Sequence, residues 1–165
     1  MLMLGSCSCG RQPGVEDVSA AARTDQPAPA PEAMSSAAKS PTAEALAKNA
    51  ANLSQAASTV HAYLAAVAGK NWKTADSYWA GGKAPPRPDD YVVRGIEDLG
   101  SMRINNQEPE PLDEEIPTRA VEIPVALLVR GGKNVRKIEG WYRLRRKVDD
   151  AGWEITSASL RPSLD

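Results

Sequence analysis

Asp76 lies one helical turn from Trp72 and less than one turn from Trp79, so a helix through this stretch sets a carboxylate between two indoles. Such a carboxylate can act as a base at a cavity mouth, or it can be an ordinary exposed helix acid. His61 is the only histidine and neighbours the apolar positions Val60, Leu64 and Val67, where it can serve as a base or simply flank the core. Trp72, Trp79 and Tyr142, with Tyr78, Trp141 and Trp153, offer aromatic surface for a pocket. The chain has four Trp, four Tyr and no Phe, so the same rings must also fill the core. Glu122 and Glu139 alternate with apolar residues that claim the inner face of their strands. The expected pocket set is His61, Trp72, Asp76, Trp79 and Tyr142, with no residue assigned a catalytic role.

Two charged blocks stand apart from these. Arg130, Lys133, Arg136, Lys137, Arg143, Arg145, Arg146 and Lys147 crowd one hairpin, and Glu108, Glu110, Asp113, Glu114 and Glu115 fill the preceding loop. They either neutralise one another across a solvated sheet or present Trp141, Arg143 and Arg145 as a contact surface. A net charge of -1 drives the chain toward neither nucleic acid nor an acidic membrane. One His and two N-terminal Cys supply too few ligands for a zinc site. Gly131-Gly132-Lys133 lacks the spacing of a phosphate-binding loop. No cofactor and no metal is expected.

The elements that must position these residues follow from periodicity. Leu46, Ala50, Leu53, Ala57, Val60, Leu64 and Val67 recur at helical spacing, with Gly69 as a stop. Asn52 or Ser54 can break this run, and firm helix is expected from about Ser54. Asn71 caps a second helix with Trp72, Ala75 and Trp79 on one face, ending at Gly81-Gly82. Asp89 to Leu99 reads as a third, capped by Asp89 or Asp90. Ser101 to Asn106 suits a strand. Val121, Ile123, Val125, Leu127 and Val129 alternate as a half-buried one. Gly131-Gly132 turns the chain into a long strand with Ile138, Tyr142 and Leu144 on one face, and Trp153 to Leu160 closes the meander. Helices followed by about four antiparallel strands make an α+β domain.

The stretch from Tyr63 to Ala75, with its Ala-Gly-Lys-Asn-Trp turn, and the closing Gly152-Trp153-Glu154-Ile155 resemble nuclear transport factor two-like domains over residues 54 to 160. The resemblance implies a cone-shaped fold with a cavity between helices and a curved sheet. In enzymes of that family, such as ketosteroid isomerase, the cavity holds a carboxylate base and an acidic hydrogen-bond donor.

Leu4-Gly5-Ser6-Cys7 resembles the end of a bacterial lipoprotein signal, in which the Cys thiol receives the lipid. That implies a membrane anchor at Cys7, and Ser8 after it points to the periplasmic face of the outer membrane. The missing basic region and short apolar segment imply a start further upstream or a trimmed chain. Residues 1–7 then read as a signal remnant, 8–50 as an Ala/Pro/Ser-rich disordered tether, and 51–162 as the folded domain. Three functions remain open. The first is a non-catalytic, lipid-anchored envelope protein binding a small apolar ligand or a protein partner. The second is a small cavity enzyme, isomerase- or dehydratase-like, using Asp76 or His61. The third is a homodimer formed through the outer sheet face at Trp141.

Overall fold

The computed structural model describes residues 40–86 and 89–163. Cys7, the signal remnant and the tether as far as residue 39 lie outside the described residues.

Helix α1 (Ala43–Ala68) starts where Thr42 accepts a hydrogen bond from the amide of Ala45 at 3.2 Å. It runs unbroken through Asn52 and Ser54, so residues 43–50, expected in the tether, are helical. Apolar packing does not hold this first part, because Leu46 is half exposed (50%). Polar contacts order it instead. Asn49 accepts from the amide of Thr118 at 2.7 Å, and Asn52 donates to the Thr118 carbonyl at 2.7 Å. Asn52 also accepts from Arg146 at 3.0 Å, and its carbonyl accepts from the indole of Trp153 at 3.2 Å. Both asparagines thus tie the helix to the backbone at Thr118, and Asn52 caps no break. Further along, Ala56, Val60, Tyr63, Leu64 and Val67 face the sheet and are buried.

The second helix is shorter than expected. Helix α2 (Trp72–Asp76) is capped by Asn71, which accepts from the amide of Thr74, but it stops at Asp76. Trp79 has extended backbone and makes a parallel bridge to Ile155, with the Ile155 amide bonded to the Tyr78 carbonyl at 2.8 Å. The claim of the sheet on this backbone ends the helix early, so Trp72 and Trp79 do not share a helix face. A single 3-10 turn follows at Ala80–Gly82. Helix α3 (Tyr91–Arg94) is one turn, closed by Gly95 and so shorter than the expected span from Asp89 to Leu99.

Strands β1 (Leu99–Asn106), β2 (Glu110–Pro111), β3 (Ala120–Gly131), β4 (Asn134–Arg146) and β5 (Trp153–Pro162) form one antiparallel sheet. The order is β1-β3-β4-β5, with the two-residue β2 added beside β3 from within the acidic loop, so there are five strands. The domain is α+β, helices first and an antiparallel sheet after them. Val121, Ile123, Val125, Leu127 and Val129 point inward as their alternation requires, and Ile138, Tyr142 and Leu144 do so from β4. Register shifts at Leu99/Ser101 and Arg143/Leu144 bend the sheet around the helices.

Candidate functional site

Tyr63 on the inner face of α1 and Tyr142 on the inner face of β4 approach each other edge to face, 5.5 Å between ring centroids. A buried phenol needs a partner for its hydroxyl. Both donate to one atom, Oδ2 of Asp90: Tyr142 at 3.2 Å and Tyr63 at short range. Asp90 precedes α3 in the position of a cap, yet its side chain makes no capping bond and turns into the core. All three side chains have no solvent-accessible surface. The other carboxyl oxygen, Oδ1, has no hydrogen-bond partner among the described residues.

Burial dominates the ionisation of this group. Loss of water raises the pKa of the Asp90 carboxyl, against the opposing pull of the Tyr63 hydrogen bond, the Arg94 charge and the Tyr142 hydrogen bond. Burial likewise raises both tyrosines, reinforced by the Asp90 charge. An orphaned oxygen is far less costly on a neutral carboxyl than on a carboxylate. The resulting site is a buried carboxyl whose charged form burial disfavours, clasped by two phenols and sealed beneath α3.

One turn beyond Asp90, Arg94 carries the network outward. Its Nη1 donates to the Tyr63 hydroxyl at 3.3 Å, and its Nη2 pairs with Oδ1 of Asp76 at 2.7 Å. The guanidinium also lies over the Trp72 ring, 5.1 Å from its centroid. Here the protein opens. Trp72, Asp76, Lys83, the Pro85-Pro86 segment, Tyr91 and Arg94 border a recess of about 350 Å³, within the size range of small-ligand sites. Trp72 is 40% exposed and Tyr91 69% exposed. A larger recess of about 470 Å³, near Val92, Leu128, Val135 and Pro162, has no aromatic wall.

The expected pocket residues therefore divide. Trp72 and Asp76 border the recess, while Trp79 and Tyr142 are core. The Nε1 of Trp79 has no partner among the described residues. His61 is exposed on α1 and joins neither group. Asp76 is engaged in its ion pair with Arg94 rather than waiting as a base. The fully buried carboxyl is Asp90, a residue that sequence reasoning treated only as a helix cap. The signal that pointed to it was Tyr63, which falls on the helix face shared by Val60 and Val67 and brings a hydroxyl that must be satisfied.

On the outer sheet face, Trp141 is half-buried beside Pro124 and Ser159, with the Arg143 guanidinium 4.3 Å from its ring centroid. Arg143 pairs with Glu122 at 2.8 Å, Arg145 with Glu154 at 2.7 Å, and Lys137 with Glu139 at 3.2 Å. The basic strand is thus matched by carboxylates of the sheet itself, not by the acidic loop. In that loop Asp113 accepts from the amides of Glu115, Arg119 and Ala120 and organises its own turn. Among the described residues no cluster of three His, Cys, Asp or Glu side chains is placed to hold a metal ion. No described helix is long and apolar enough to cross a membrane.

No protein-family model matches the chain, and no curated protein matches it. Among solved structures, it is similar to a Streptomyces avermitilis protein described as a "putative dehydratase from the NTF2-like family". The identity is 14% and the TM-score 0.49, over 71% of this chain and 99% of that one. No residue role is carried over from it.

Proposed function

We propose that this chain is a non-catalytic, lipid-anchored envelope protein whose cone-shaped domain holds a small ligand in the recess bordered by Trp72, Tyr91 and Arg94. One observation carries the reading: the ionisable core is closed while the recess is open. Tyr63, Asp90 and Tyr142 spend their hydrogen bonds on one another and have no accessible surface. An acid or base must come within hydrogen-bond reach of a substrate to act on it. The recess, by contrast, exposes two aromatic rings next to a positioned guanidinium, the mix of apolar wall and few polar groups that small-molecule sites use. Anchoring at Cys7 and a place on the periplasmic face of the outer membrane complete the proposal, on the strength of Leu4-Gly5-Ser6-Cys7.

A second reading, a small enzyme working inside the cone, has the buried Asp90 carboxyl with its raised pKa in its favour, since a carboxyl held in its protonated form can donate a hydrogen bond to a developing anion. One experiment separates the two. A panel of small aromatic fragments is screened by NMR against the full chain, Trp72→Ala and Asp90→Asn, with folding checked by thermal melts. Binding that is lost in Trp72→Ala and kept in Asp90→Asn is the expected result. Binding that needs Asp90 but ignores Trp72 would favour the enzyme and overturn the recess.

A further inference from the structure

The recess has a charge imbalance that specifies more than an apolar guest. Arg94 brings five N–H donors in a planar fork. Two are spent, one on Asp76 and one on the Tyr63 hydroxyl. The other three have no acceptor among the described residues, although the side chain is only 14% exposed. Lys83 borders the same recess and has no ion-pair partner among the described residues. Among the described residues lining the recess, two cations stand against one carboxylate, Asp76, an excess of one positive charge along its border.

We infer that this recess selects a monoanionic ligand with a carboxylate on a flat apolar body. The inference rests on the ligand-binding reading above and names the class of ligand. A carboxylate is planar and meets a guanidinium edge with parallel, charge-assisted hydrogen bonds. Its single charge matches the single excess cation, whereas a phosphate dianion would overshoot it. The flat body lies against Tyr91 and the Pro85-Pro86 wall, because Arg94 already covers one face of Trp72. Asp76 and Tyr63 hold the guanidinium in place before the ligand arrives, which lowers the ordering cost of binding. The same Asp76 repels a second negative group.

The test uses two probes of equal shape, 2-naphthoate and the uncharged 2-naphthamide, titrated by NMR into the full chain. Naphthoate should bind at least about tenfold more tightly, the gap that charge-assisted hydrogen bonds support over neutral ones, and should shift the Trp72 indole and Tyr91 signals. The gap should narrow as salt is raised and shrink in Lys83→Gln, a surface change that spares the Arg94 network. Arg94→Lys keeps the charge but loses the fork, and should lose most of the preference. Equal binding of both probes at the recess would overturn the inference and leave the ligand-binding reading standing. No binding of either probe at the recess would overturn both. Naphthoate binding indifferent to Lys83→Gln and Arg94→Lys, with folding intact, would place the anion elsewhere and overturn the inference alone.

Discussion

Asp90 shows how a cap-forming residue type becomes a core residue when stronger partners are near. Asp at the start of a helix ordinarily bonds the first free amides. Here two buried hydroxyls compete for it, and leaving them unsatisfied would cost more than an open cap. The consequence is a pH dependence whose sign can be worked out. The folded pKa of Asp90 is raised, so between the unfolded and folded values the unfolded chain binds fewer protons. Stability then falls as pH rises through that window, and is fully present only below the unfolded value. Replacing the acid by the isosteric Asn removes this titration. We expect thermal melts of Asp90→Asn to lose the part of the decline that wild type shows above the ordinary carboxylate range; parallel curves for the two proteins would contradict it. Trp72 and Asp76 could be read as site residues because their spacing survives in α2. Asp90 could not, because its partners Tyr63 and Tyr142 lie 27 and 52 residues away and only tertiary folding brings them together.

At the scale of elements, alternation and helical period located every strand of four or more residues and all three helices. The errors lie at element ends, where tertiary contacts overrule local pattern. Asn49 and Asn52 extend α1 toward its N-terminus, and the bridge from Trp79 to Ile155 cuts α2 short. One close approach within the sheet needs a residue without a side chain. A Cβ on Gly140 would lie 1.9 Å from the Ser159 carbonyl oxygen and 2.9 Å from the Leu160 Cα, both of them backbone. Strand β4 can therefore draw in against β5 only at a glycine. Gly140→Ala should destabilise the domain by about 3 kcal/mol or more, at the upper end of overpacking costs. Denaturant unfolding measures this, and a loss below about 1 kcal/mol would show that the two strands separate easily.

For the whole molecule, the sealed core and the open recess assign different tasks to two halves of one hydrogen-bond chain. Tyr142, Asp90 and Tyr63 fasten the sheet, α3 and α1 together. Arg94 and Asp76 extend that chain to the border of the open recess, the proposed binding site. The order of elements, helices and then an antiparallel sheet, was legible in the sequence; the division of labour was not, since it depends on which side chains the fold closes over. The proposed membrane anchor belongs to this scale as well. Mass spectrometry of the mature polypeptide from its own envelope should find acyl chains on Cys7 and residues 1–6 removed. Met1 retained without an acyl group would remove the anchor while leaving the recess as it is.

The sealed position of Asp90, whose burial raises its pKa, is the claim on which the choice of the recess over the core depends. The most direct measurement is a carbon-13 NMR titration of the Asp90 side-chain carboxyl in the full chain. The account predicts a carboxyl still protonated above the ordinary carboxylate range. A carboxyl that titrates within the ordinary carboxylate range would show water reaching the network, and would return the core to contention as the working site.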